Sequence, residues 1–243
     1  KISSNINDIL DDEEIDLVVE VVGGESPAFD YISKCLKSGK DVVTANKEVM
    51  AKRGLELLAI AKNSSTQLRF EASVGGGIPI ISSLKNDFSS NKIDGIRAII
   101  NGTTNYILTR MSNEGLSFRE ILNDAQKLGY AETDPTNDVE GFDSTYKLAI
   151  LTNLAFGAKV EIKKIYREGI TNIKNKEFKY ANELGFSIKL ISSVKKINNK
   201  LLLRVHPALI PIEIPMANVN SVLNMIEVHG NLTGPLWFQG AGA

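Results

Sequence analysis

Apolar positions along this chain follow two successive regimes. In the first, IDLVVEVV at 15–22 is an unbroken, mostly β-branched run that predicts a buried strand. Gly23 and Gly24 turn it toward a helix with Pro27 in its first turn, ending near Ser38-Gly39. DVVTA at 41–45 predicts a second strand, and NKEVMAKRGLELLAIAKNS a helix with apolar residues at helical spacing. QLRFEASV at 67–74 predicts a third strand, followed by GGGIP and a helix over IPIISSLKNDF. Strands alternating with helices imply right-handed crossovers and a doubly wound parallel sheet. No Gly-x-Gly-x-x-Gly precedes the first strand, and VGGGIP has the wrong spacing, with Pro79 inside it. The sheet therefore reads as the later part of a Rossmann-type sheet, and a chain that begins at Lys1 in mid-pattern reads as a fragment.

From Lys92 the texture changes. IDGIRAII predicts a strand, NGTTNYILTRM a turn into a helix, and SFREILNDAQKLG a helix with Ser117 and Glu120 at capping-box spacing. An acid-rich loop leads into a helix over 142–156, and the residues after it read as irregular. Two alternating runs, GFSIKLISSVKKI and KLLLRVHPALI, meet at Asn198-Asn199 and predict a hairpin; NSVLNMIEVHG and GPLWFQG read as further strands. The expected fold class is α/β. A partial Rossmann-type parallel sheet occupies 1–91, followed over 92–243 by an α+β substrate-binding and dimerisation domain with a mixed sheet.

Composition narrows the setting. Hydrophobic residues make up 43% and charged residues 23%, which supports a packed core and argues against disorder. With 28 basic and 29 acidic side chains the net charge is −1, so no general attraction to nucleic acid or an acidic membrane is expected. No stretch approaches the roughly 18 to 20 apolar residues of a membrane helix, and no signal peptide opens the chain. A lone cysteine excludes an intrachain disulfide and fits a reducing, cytoplasmic setting; Cys35 itself reads as a small buried hydrophobe. His206 and His229 lack companions at metal-ligand spacing and read as structural, and Trp237 as core.

Candidate chemistry concentrates in ETDPTNDVEGFDSTYKLAIL at 132–151. Asp143 and Lys147 are four apart on one helix face, acid first, and that face continues through Ile150, Leu151 and Leu154. An ordinary surface ion pair worth ~0.3 to 0.5 kcal/mol accounts for the spacing. The apolar continuation favours a cleft, where a partly desolvated lysine beside carboxylates serves as a general acid or base. The loop bent by Pro135 can aim Glu132 and Asp138 at a cationic ligand group; its Asp spacing does not match a calcium loop. Asn101, Gly102, Thr103 and Thr104 form a polar turn at a helix start, which either holds an anion on free N–H groups or simply caps the helix.

VVTANKEVMA, EASVGGGIPII, INGTTNYIL and DPTNDVEGFDSTYKLAIL occur in this order with a spacing that resembles the homoserine dehydrogenase family, over essentially the whole chain. The resemblance implies NAD(P)H-dependent reduction of L-aspartate 4-semialdehyde to L-homoserine, on the branch toward threonine, methionine and isoleucine. It further implies Lys147, with Asp138 and Lys47, as the catalytic group, Lys147 giving a proton to the aldehyde oxygen. Glu132, Asp143, Thr103 and Gly102 match substrate-binding positions; Gly23, Lys47, Gly240 and Gly242 match positions near the NAD or NADP cofactor. Glu71 with the carbonyls of Val74, Gly76 and Ile78 resembles a site for a monovalent cation, Na+ or K+. The substrate's ammonium would explain the excess of acids. The family also implies a homodimer or homotetramer, and segments beyond both ends of these residues. Two other readings stay open: a related two-domain oxidoreductase acting on another aldehyde or oxo acid, and a non-catalytic ligand-sensing module.

Overall fold

The computed structural model describes residues 2–242. Its first layer is α1 (Asn7–Leu10), β1 (Leu17–Glu20), α2 (Ala28–Lys37), β2 (Asp41–Thr44), α3 (Lys47–Asn63), β3 (Leu68–Arg69) and α4 (Ile80–Lys85). The three strands are parallel in the order β1-β2-β3. Each short helical crossover returns the chain to the same end of the sheet, which gathers the carboxyl ends of β1 and β2 beside the start of α3.

The second layer comprises β4 (Ile93–Ile99), α5 (Gly102–Glu114), α6 (Phe118–Lys127), α7 (Thr136–Val139), α8 (Phe142–Phe156), β5 (Tyr166–Arg167), α9 (Asn175–Glu183), β6 (Phe186–Ile197), β7 (Lys200–Pro211), β8 (Leu223–Gly230) and β9 (Gly234–Ala241). The six strands form a mixed sheet in the order β5-β7-β6-β4-β8-β9, antiparallel except for β5 beside β7. β6 and β7 are joined at Asn198 and Asn199, both at positive φ (48° and 59°), the geometry of a two-residue hairpin turn. One continuous apolar core links the layers. Val49, Met50 and Leu57 of α3, Leu148 to Leu151 of α8, and Val194 and Ile226 of the second sheet all belong to it.

Four expectations are revised. β1 is not buried: Leu17 and Val19 are 51% and 61% exposed, because β1 is the edge strand and no described element covers that face. The third strand is only two residues long; Glu71–Ser73 coil into a 3-10 turn, since Glu71 is needed at the start of α4. The segment read as irregular contains α9, whose Phe178 and Ala181 lie three apart and face the core. Trp237 is not core: it is 46% exposed and its Nε1 donates to Glu227. The capping box at Ser117 and Glu120 forms as the spacing predicts.

α8 is buried almost all round, not along one stripe, because it lies between α3 and the β6–β7 hairpin. Its start is set by Gly141, at φ 79°, a conformation that suits glycine. The loop before it is held by Gly169, whose added Cβ would meet the Val139 carbonyl and come 2.7 Å from Glu140 Cα. Gly169→Ala is therefore expected to destabilise by about 1–3 kcal/mol, read as a lower urea midpoint at unchanged slope; an unchanged midpoint would show that the loop yields freely.

Candidate active site

Three chain segments meet at the carboxyl end of the first sheet. Asn46 ends the turn after β2, and its Oδ1 accepts the Val49 N–H, which caps α3 and places Lys47 in that helix's first position. Asn101 does the same after β4, its Oδ1 accepting from the Thr104 N–H at 2.8 Å and from Thr104 Oγ1 at 2.9 Å. The acid-rich loop then delivers Asp138 on α7 and Asp143 on the first turn of α8.

Asp143 is the centre of the assembly and is 2% exposed. Its Oδ2 pairs with Lys147 Nζ at 2.8 Å and accepts from Asn101 Nδ2 at 3.0 Å. Its Oδ1 contacts the ammonium of Lys47, the partner that atom has among the described residues. Asn101 Nδ2 also donates to Asp138 Oδ1 at 2.7 Å, so one carboxamide joins two acids. Lys147 Nζ donates to the Ile100 carbonyl at 2.9 Å. An ammonium has three protons, and the third has no partner among the described residues. Lys147 is only 13% exposed, whereas Lys47 is 45% exposed. The pair read as a surface ion pair or a cleft pair is thus a buried one.

The charges adjust to this packing. Burial alone would raise the Asp143 carboxyl, but Lys147 and Lys47 overcome it and hold it down to about 2. Burial raises Asp138, with the negative charge of Asp143 adding to it against the Asn101 hydrogen bond. Burial opposes the charge on Lys47, yet Asp143 outweighs it and the ammonium is held above its ordinary range.

These groups line a cavity of about 400 Å³ together with Gly102, Thr103, Gly129, Tyr130, Glu132, Val222 and Gly242. Three carboxylates against two ammoniums give its walls one net negative charge, which suits a ligand bearing an amine. Two larger hollows, of about 660 and 810 Å³, hold neither Asp143 nor Lys147. Of the residues singled out in the sequence, Lys47, Asn101, Gly102, Thr103, Glu132, Asp138, Asp143, Lys147 and Gly242 share the cavity. Gly23 lies outside it, after β1, at φ 80° with open space around it; Gly240 packs against Ile78. Gly129, Tyr130 and Val222 were missed. Tyr130 is held through its carbonyl by Thr103 Oγ1 at 2.6 Å and through its ring by Tyr106, centroids 5.0 Å apart. Only its place two residues before Glu132 signals it, and nothing local signals Val222.

Glu71, named with Val74, Gly76 and Ile78 for a cation site, reaches the start of α4. The Glu71 carboxylate accepts the N–H groups of Ile81 and Ser82 at 2.8 and 3.0 Å, and the Ile78 carbonyl accepts from the Ile80 N–H.

Fold and site together define a parallel α/β sheet joined to a mixed-sheet layer, with an acid-rich cavity where they meet, the plan of a two-domain α/β protein. Family models agree: residues 1–71 match "Homoserine dehydrogenase, NAD binding domain" and residues 79–243 match "Homoserine dehydrogenase". The chain belongs to the homoserine dehydrogenase family. Homoserine dehydrogenase of Pseudomonas aeruginosa is 43% identical over 242 residues, covering 100% of this chain and 56% of that protein; that of Helicobacter pylori is 44% identical, covering 100% and 57%. The chain thus spans little more than half the length of these relatives. The crystal structure of a homoserine dehydrogenase from Thiobacillus denitrificans superposes with a TM-score of 0.96 at 44% identity, over 99% of this chain and 56% of that one. A hyperthermophilic archaeal homoserine dehydrogenase in complex with NADPH gives 0.86 at 27% identity, over 100% and 70%.

The depressed Asp143 carboxyl contributes stability that is present above the ordinary carboxyl range and lost as pH falls toward about 2. The raised Asp138 acts in the opposite sense, so the difference between two proteins carries the signal. Asp143→Asn should unfold at lower urea than the wild type at neutral pH, and the gap should narrow as pH drops from about 4 to 2. A pH-independent gap would mean that Asp143 stabilises by shape and not by charge.

Proposed function

We propose that this chain is the substrate-handling part of a homoserine dehydrogenase that interconverts L-aspartate 4-semialdehyde and L-homoserine with NAD(P)H, in the biosynthesis of threonine, methionine and isoleucine. The observation that carries this is the buried Asp143 clamped between Lys147 and Lys47 on the wall of an acid-rich cavity.

Lys147 donates the proton. Its two fixed bonds, to Asp143 and Ile100, leave one N–H directed by default at whatever occupies the cavity, beside the oxygen on which charge develops. Asp143 holds that ammonium in place, and Lys47 shares the load, so the carboxylate remains ionised while buried. Lys47 also stands at the carboxyl end of β2, where ligands of parallel sheets bind. Glu132 and Asp138 read the substrate's ammonium. The N–H groups of Gly102 and Thr103, the first of α5, have no partner among the described residues and suit the substrate's carboxylate.

The dinucleotide fits the same edge of the sheet. Gly23 and Gly24, both at positive φ with no atom where a Cβ would lie, leave the backbone after β1 open, and Gly242 lines the cavity. When bound, NAD or NADP supplies the hydride that reduces the carbonyl carbon. We also infer a homodimer or homotetramer. Exposed Leu209 and Ile212 and half-exposed Trp237 on or beside the outer sheet support it, and sedimentation of the full-length protein as a monomer would refute it.

The decisive variant is Lys147→Ala in the full-length protein. It should lower kcat by roughly 10²- to 10⁴-fold with little change in cofactor affinity. Full turnover per folded molecule in that variant would reduce the Asp143–Lys147 contact to a structural ion pair.

A further inference from the structure

The most deeply buried lysine among the described residues lies outside the cavity. Lys189, on β6, is 2% exposed, and burial with no opposing charge pulls its ammonium down to about 8. All three of its protons are placed: Nζ donates to the Val219 carbonyl at 2.6 Å, to Asn220 Oδ1 at 3.1 Å and to Asn105 Oδ1 at 3.4 Å. Asn105, on α5, donates in turn to the carbonyls of Val219 and Leu223 at 3.1 and 3.0 Å. One turn further along α5, Thr109 Oγ1 accepts the Ser221 N–H at 3.2 Å, and Ser221 is held at φ 59°. The segment 219–223 is therefore strapped at four points to α5 and β6.

That segment is a wall of the cavity. Val222 lines it directly, and the Val222 carbonyl lies so near Gly102 that a Cβ there would approach it to 3.0 Å. Gly102 also lines the cavity and is the first residue of α5. A buried ammonium without a carboxylate costs stability that a methionine of similar length would not. Such a group is accounted for by the geometry it enforces.

We propose that Lys189 is a positioning residue for the substrate cavity: it ties segment 219–223 to α5 and so fixes where Val222 closes the cavity beside Gly102. It touches no reacting atom. Its effect is on the fit of the small amino-acid ligand, and the inference rests on the reading above that this cavity takes substrate.

The test uses the full-length protein carrying Lys189→Met, with Asn220→Ala as a milder break of the same strap. Two quantities are read: steady-state kinetics with homoserine and NAD(P)+, and hydrogen–deuterium exchange of amides 221–223. Loosening one or two net hydrogen bonds should raise the homoserine KM about tenfold and speed exchange of those amides by a similar factor. The cofactor KM, and exchange in α8 and the β6–β7 hairpin, should stay within about twofold. A merely structural lysine would instead lower the unfolding midpoint and leave the KM of the folded enzyme alone. An unchanged homoserine KM in both variants overturns the proposal, as does unchanged exchange at 221–223. If Lys189→Met does not fold, Asn220→Ala decides alone. If the wild type does not turn over homoserine at all, the functional reading fails, while the exchange measurement still decides whether Lys189 holds the wall.

Discussion

One buried carboxylate organises this molecule. Asp143 sits where water is excluded, and an isolated charge there would cost several kcal/mol. It is tolerated because two ammoniums reach it from different layers: Lys147 from its own helix, one turn on, and Lys47 from the first turn of α3, the helix that follows β2. The contact therefore does more than balance charge. It ties the parallel-sheet layer to the mixed-sheet layer, in company with the apolar packing of α3 on α8. The same arrangement leaves one proton of Lys147 without a partner among the described residues, on a side chain that lines the cavity.

Much of the framework is legible from local pattern. The parallel strand-helix units, the capping box at Ser117 and the Asn198-Asn199 hairpin each depend on residues within a few positions of one another, and each forms. α9 escaped because its polar surface is dense and only Phe178 and Ala181 mark a buried face. β1 looked buried because β-branched runs usually are; its exposure follows from its place at the sheet edge, which no local pattern encodes. Trp237 was misplaced for a related reason: its ring lies on an outer strand, and its nitrogen is satisfied by Glu227.

The site was legible to a different degree. The acids and lysines could be nominated because their spacing on one helix and the family resemblance agree. What spacing could not reveal is that Asp143 is shared. Four-residue separation is the same for a solvated pair and a buried one, and only the arrival of Lys47 from far upstream distinguishes them. Asn101 reads as a helix cap, which it is; that its other end joins Asp138 and Asp143 depends on contacts 37 and 42 residues away in sequence. Val222 is farther still, and its wall is built by a strap of buried polar groups with no periodic signature.

The carboxamide of Asn101 has a chemical corollary. It precedes Gly102, the kind of neighbour that leaves an asparagine most open to cyclisation and slow hydrolysis, and asparagine is among the thermolabile side chains. Here both amide protons are engaged by acids and the oxygen by Thr104, so the side chain is pinned away from free rotation. Were that nitrogen nevertheless lost, a donor to two carboxylates would become a third carboxylate facing them, and ageing of a single amide would push Asp138 and Asp143 apart. The hydrogen bonds that build the pocket thus also act as its shield against chemical wear.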